Sequence, residues 1–207
     1  EAAAPVKKNG TTGVYVHTIE LAGPTDELPS ATGHVDRGAA VKAYTGLKAE
    51  TFKLEAKSKD YLRTTTSFKG KMEASGTIQA IANPSKKAFK FAGGSCTIDD
   101  VEVASVTSIS YNLNNKLTDE EPTLASGLYV EEPLHSIREV TINIDTIYNA
   151  QTEGLRNNKW KTGATAGLEV YFESATEIET GHKYSINIEI PYMQITELKA
   201  NVSGRDK

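Results

Sequence analysis

Four histidines, one cysteine and a set of strand carboxylates are the residues of this 207-residue chain whose types suit chemistry. His17, His34, His135 and His182 are widely spaced, with no His-x-x-x-His pair and no cysteine partner, so their pattern offers no zinc site. Cys96 is the only cysteine, which excludes an internal disulfide framework and favours a reducing compartment. No histidine lies near it in sequence, so a small buried apolar residue is expected there rather than a nucleophile. There is no Gly-x-Ser-x-Gly elbow, and neither AGGSC nor FKGKMEASG has the glycine spacing and closing Lys-Ser or Lys-Thr of a phosphate loop. Asn201-Val-Ser is a glycosylation sequon that matters only in a secreted protein. The carboxylates Glu139, Asp145, Glu169, Glu173 and Glu189 are numerous enough to supply an acid and a base. All five alternate with apolar residues, however, which places them on the outward faces of strands. If their three strands share a sheet, that face is distinctly negative. Catalysis, a metal and a cofactor are therefore not expected.

The elements that position these carboxylates are read from period-two alternation. The opening EAAAPVKKNGTTG reads as an arm and VYVHTIEL as a first strand, together an N-terminal segment of residues 1–40. AGPTDELPSATGHVDRGAA has the Pro, Gly, Asp and Ser density of a loop. From residue 41 to 207 a main β-domain follows. Phe52, Leu54 and Ala56 alternate with lysine and glutamate; after KSKD, Leu62, Thr64, Thr66 and Phe68 alternate in turn, which predicts a hairpin. GKMEASGTIQAIANPSKK reads as loop with a short extended piece around 77–81. Ile98, Val101 and Val103 mark short strands about an Asp-Asp turn, and Ile109, Tyr111 and Leu113 mark another strand. Val140, Ile142 and Ile144 define one face of IREVTINID. The one convincing helix spans about 147–160, capped by Thr146 and closed by Gly163, with Ile147, Ala150 or Gln151, Leu155 and Trp160 roughly on one stripe. Two last strands bury Leu168, Val170 and Phe172, and Ile186, Ile188 and Ile190; Pro191 implies an edge or a bulge in the second. The pattern predicts a mainly β fold: an antiparallel β-sandwich or partial barrel flanked by one α-helix.

Composition agrees with a soluble globular chain: 38% hydrophobic and 24% charged residues, and no apolar run near the roughly 20 residues that cross a bilayer. No membrane association is expected. The start lacks a basic region followed by an apolar stretch, so no signal peptide is expected, and the ends look trimmed. Residues 1–100 carry 14 Lys/Arg against 11 Asp/Glu, whereas 101–207 carry 9 against 16, so the subunit is electrically polar. Lys86, Lys87 and Lys90 are too short a basic cluster to make a nucleic-acid surface.

One feature breaks the regularity. LTDEEPTLASGLYVEEPLHS, residues 117–136, is acidic, holds two prolines and separates two clear strand patterns. Connections beyond about 12 to 15 residues without periodicity are uncommon and are usually functional or disordered. The hairpin ETFKLEAKSKDYLRTTTSF and the pair TSISYNLNNK with IREVTINI repeat one order: strand, polar turn, arginine, strand. In the second copy the turn has grown into this long connection, which is expected to protrude as a loop or arm.

GLKAETFKLEAKSKDYLRTTTSFKGK, VTSISYNLNNKL, REVTINIDTIYNAQ and the terminal VSGRDK, taken in that order over roughly residues 40–207, resemble the tail tube (major tail) proteins of bacteriophages and prophages. In that family more chain, including a strand, usually follows Ser-Gly-Arg-Asp; here Lys207 is the last residue, and the start also looks incomplete. The resemblance implies a β-sandwich subunit that joins copies of itself into rings, six subunits each, stacked as a hollow tube in the virion tail. Three double-length subunits would give the same pseudo-symmetry. It also implies other tail proteins at the tube ends, with a tape measure protein and DNA as transient contents of the lumen. Under it, Leu117, Leu124, Leu128, Tyr129, Glu131 and Glu132 are candidates for an inter-ring arm, with Leu124, Leu128 and Tyr129 as apolar anchors. Glu139, Asp145, Glu169, Glu173 and Glu189 are candidates for a lumen wall that repels DNA phosphates. The competing reading is a β-sandwich binding or adhesin module that uses the 117–136 loop for its ligand; a carboxylate hydrolase ranks third.

Overall fold

The computed structural model describes residues 4–21, 23, 26–77, 80, 88–118, 124 and 133–199. In chain order its strands are β1 (Val6–Lys7), β2 (Tyr15–Val16), β3 (Ala31–Asp36), β4 (Val41–Lys57), β5 (Arg63–Lys69), β6 (Met72–Ser75), β7 (Gly94–Ile98), β8 (Val101–Glu102), β9 (Val106–Asn114) and β10 (Glu139–Thr146). After helix α1 (Ala150–Leu155) come β11 (Thr165–Glu179) and β12 (His182–Gln194). The fold is mainly β with one short helix, as the alternation predicts, and its antiparallel sheets do not close into a barrel. The chain forms two compact units: Glu1–Leu54, Arg63–Lys86 and Ser110–Ile142; and Glu55–Leu62, Lys87–Ile109 and Asn143–Lys207. Strands β4, β9 and β10 each contribute residues to both.

The six-stranded sheet has the order β10-β9-β4-β3, with β5 and β6 also paired to β4. Both hairpins inferred from the sequence echo therefore form. Three expectations in the first unit are corrected. The segment before residue 40 is not all loop: β3 pairs antiparallel with β4, Val35 opposite Lys42 and Asp36 opposite Val41. Met72–Ser75 is not loop either, since this strand, β6, sets Glu73 opposite Tyr44 and Ala74 opposite Ala43. The opening arm carries a ribbon, with Val6 opposite Val16 and Lys7 opposite Tyr15. Of the 77–81 piece, only Thr77 and Ala80 lie within the described residues.

On β5 the inward positions are Ser67 and Lys69, and Phe68 is exposed, so the face set by Leu62, Thr64, Thr66 and Phe68 does not form. The reason is polar anchoring: Ser67 shares a 2.6 Å hydrogen bond with Thr51, and Lys69 pairs with Glu50 at 2.9 Å. Those partners fix which side of β5 meets β4. Leu54 is buried, and Phe52 packs edge-on against Tyr111 at 6.3 Å between ring centres.

In the second unit a four-stranded antiparallel sheet has the order β12-β11-β7-β8. Ala166, Leu168, Val170, Phe172 and Ser174 are buried along one face of β11, and Cys96 and Ile98 sit opposite Val170 and Leu168 on β7. Cys96 is thus the small buried residue expected. Ile186, Ile188 and Ile190 stand on the same face but only half-buried, because β12 is an edge strand. Pro191 satisfies both readings of it. It lies on that edge and in a bulge, since Ala166 pairs with Met193 and Leu168 with Ile190, leaving an extra residue in β12.

The helical segment is shorter than expected. Asn149, not Thr146, is the cap: it accepts from Thr152 N at 3.0 Å while the Thr152 hydroxyl accepts from Asn149 N at 2.8 Å, a reciprocal capping box. Ile147 and Tyr148 precede it and are exposed. After Leu155 the chain relaxes into a π-turn, Arg156–Trp160, with Lys161 N donating to Arg156 O at 3.0 Å. Gly163, at φ +70°, ends the segment as predicted.

Candidate functional site: an acidic sheet face and the root of the long connection

Antiparallel pairing places alternate residues of β7, β8, β11 and β12 on the face opposite the core. The register aligns Glu102 with Thr97, Thr97 with Glu169, and Glu169 with Glu189, a row across all four strands with three carboxylates on one face. Like charges directly opposite on neighbouring strands destabilise a sheet. Here the opposition is relieved by Asn187, whose side-chain amide donates to Glu169 Oε1 at 3.0 Å and to Glu189 Oε1 at 2.7 Å. Glu173, two positions along the same face beyond Tyr171, is paired with Lys183 at 2.6 Å and accepts from the Tyr171 hydroxyl at 3.2 Å. Lys183 holds the Glu173 carboxyl below its ordinary range, and Glu173 raises Lys183 in return. Glu169 and Glu189 have no ion-pair partner among the described residues; their partner is the neutral Asn187 amide.

The five sequence candidates do not share one sheet. Glu169, Glu173 and Glu189 belong to the four-stranded sheet, whereas Glu139 and Asp145 lie on β10, at the edge of the six-stranded one. The condition for one negative face, that the three strands share a sheet, is therefore not met. Glu139 is neutralised by Lys116 at 2.7 Å, and Asp145 accepts from the Ser108 hydroxyl at 2.5 Å. Glu102 was missed by sequence reasoning. Its signal was its place between Val101 and Val103, which alternation turns to the opposite face.

The helix braces the other side of this sheet. Asp99 and Asp100 form the turn between β7 and β8 at φ 50° and 61°, the left-handed geometry of a tight hairpin. Asp99 accepts from Gly167 N at 2.8 Å and is paired with Lys159 of the π-turn; these bonds hold its carboxyl below the ordinary range. Gln151 donates to Glu102 O at 2.6 Å. Between these two braces lies a cavity of about 210 Å³ lined by Ile98, Val101, Val103 and Leu155. Apart from the braces and Asn158 its lining is apolar or glycine, with no nucleophile among the lining residues.

In the first unit the long connection leaves and returns at one place. Leu117 bridges His135, Thr118 N donates to Leu134 O at 2.8 Å, and Ser136 N donates to Lys116 O at 3.2 Å. Leu117 and Pro133 are buried at this root, and Lys69 donates to Leu117 O at 3.3 Å. His135 Nε2 and Arg138 bind Asp26 O, and Arg138 also donates to Gly23 O at 2.7 Å, which ties the segment to Gly23 and Asp26. Leu124 is fully exposed. Leu128, Tyr129, Glu131 and Glu132 lie outside the described residues.

Among the described residues no group of three or more His, Cys, Asp or Glu side chains is arranged to hold a metal ion, and no helix is long and apolar enough to cross a membrane. A search of curated proteins found no match. A family model described as phage tail tube protein matches residues 2–204, nearly the whole length. This chain belongs to the phage tail tube protein family.

Proposed function

We propose that the chain is the repeating subunit of a phage or prophage-derived tail tube, joining copies of itself into stacked rings around a DNA-conducting lumen. The family match over residues 2–204 carries this reading, and it supports a structural role in the virion tail rather than catalysis. The acidic row of the four-stranded sheet, with Glu169 and Glu189, is the wall we assign to the lumen. A protein that binds DNA gains affinity by releasing counterions from the phosphates. A surface of uncompensated carboxylates does the reverse, so the duplex slides without adhering.

Assembly also suits the sheets. β12 and β10 end their sheets as edge strands. Open edges are aggregation hazards unless they are paired or blunted. Pairing with ring neighbours, six subunits to a ring, completes their hydrogen bonding. The 117–136 connection is the element we assign to the adjacent ring, where Leu124 and, with it, Leu128 and Tyr129 dock. Such a contact is head-to-tail and, repeated along an axis, makes a filament. Other tail proteins at the tube ends and a tape measure protein in the lumen are the further partners of this reading.

Negative-stain microscopy of the purified chain tests it. Tubes or stacked rings are expected, and isolated small particles under all assembly conditions would refute it. Deleting residues 119–133 is expected to leave a folded subunit that no longer forms long tubes.

A further inference from the structure

Asn9 and Gly10 are the central residues of the turn that joins β1 to β2, and they form the chain's only Asn-Gly pair. The turn is closed by Thr11, whose backbone N donates to Lys8 O at 3.3 Å and whose hydroxyl donates to the same oxygen at 2.7 Å. Gly10 takes φ +79°, and a Cβ added there would meet nothing within 4 Å. Asn9 is exposed, and its side-chain amide makes no hydrogen bond among the described residues. Most of the other asparagines are held or followed differently. Asn115 is buried and donates to Ala49 O, Asn149 caps the helix, Asn157 bonds Glu153 and Lys161, and Asn187 bridges two glutamates. Asn112 and Asn143 lie within β-ladders, and each is followed by a bulky residue. Asn83 precedes a proline, whose nitrogen carries no hydrogen.

We infer that Asn9 is a site of spontaneous deamidation. The backbone nitrogen of Gly10 attacks Asn9 Cγ, forming an N–Cγ bond. The Cγ–Nδ2 bond breaks, and the amide nitrogen leaves as ammonia, taking up the proton displaced from the Gly10 N–H. Water then opens the succinimide at either carbonyl, giving aspartate or isoaspartate, with no change of oxidation state. Two features permit the attack: glycine offers no side chain to shield its nitrogen, and the Asn9 amide, exposed and bonded to nothing among the described residues, can turn toward that nitrogen. The isoaspartyl product lengthens the main chain by one carbon and adds a carboxylate beside Lys7 and Lys8. The two-residue strands then lose the register that sets Val6 opposite Val16.

The test is to incubate the full chain in mildly alkaline buffer and map its peptides by mass spectrometry, with labelling by an isoaspartyl methyltransferase. The expected result is a single peptide, that containing Asn9, gaining one mass unit and splitting into two isomers. Gly10→Ala should slow the conversion several-fold, and Asn9→Gln should abolish the label. The inference fails if Asn9 keeps its amide while Asn157, Asn158 or another asparagine converts first. It fails equally if Gly10→Ala leaves the rate unchanged.

Discussion

Glu169 and Glu189 face each other across β11 and β12, and one side-chain amide, that of Asn187, donates to both at 3.0 and 2.7 Å. Two like charges in register are tolerable only with such a shared donor or with salt. Asn187→Asp replaces the donor by a third carboxylate. A loss of about 1 kcal/mol is expected, read as a lower melting temperature at low ionic strength and largely restored in molar salt. An unchanged melting temperature would mean that the bridge contributes nothing.

Phe172 is 1% exposed, and Gly94 lies opposite it because a Cβ there would come within 2.7 Å of its ring. Phe172→Ala is expected to cost roughly 3 to 5 kcal/mol in denaturant unfolding. Gly94→Ala should destabilise through the opposite fault, overpacking, by about 1 to 3 kcal/mol.

Cys96 is 4% exposed and burial pushes its thiol up to about 11. The thiolate is the reactive form. A thiol reagent at neutral pH should therefore label the native chain far more slowly than the denatured chain. Equal rates would contradict the buried placement.

Lys183, Lys159 and Tyr148 hold Glu173, Asp99 and Glu153 below their ordinary carboxyl values. In each case the folded state releases its proton at a lower pH than the unfolded state. Their stabilisation is thus fully present above the unfolded carboxylate range, about pH 4, and is lost as pH falls through the folded values. Melting temperature should decline on acidification below about pH 4.5. Lys183→Met should make that decline shallower by removing the first-named cause of the Glu173 shift.

β11 was legible because Leu168, Val170 and Phe172 alternate with polar residues on a strand that is buried on one face only. β3 was not, because ATGHVD carries a glycine, has little apolar contrast and is exposed almost throughout; only its pairing with β4 makes it a strand. The helix start was misplaced for a related reason. Ile147 and Tyr148 look like a buried stripe, yet the Asn149–Thr152 box begins the helix after them. The outward direction of Glu169 and Glu189 was readable from period two. Their opposition, and the role of Asn187, depended on the register of β11 on β12, which the bulge at Pro191 shifts and which no local pattern encodes.

A helical reconstruction by cryo-electron microscopy of tubes grown from this chain bears most directly on the assignment of the acidic row. We predict density in which Glu169 and Glu189 of every subunit point toward the central axis, with β12 paired to a ring neighbour. Well-formed tubes whose Glu169 and Glu189 lie on the outer surface, or are sealed between subunits, would contradict it.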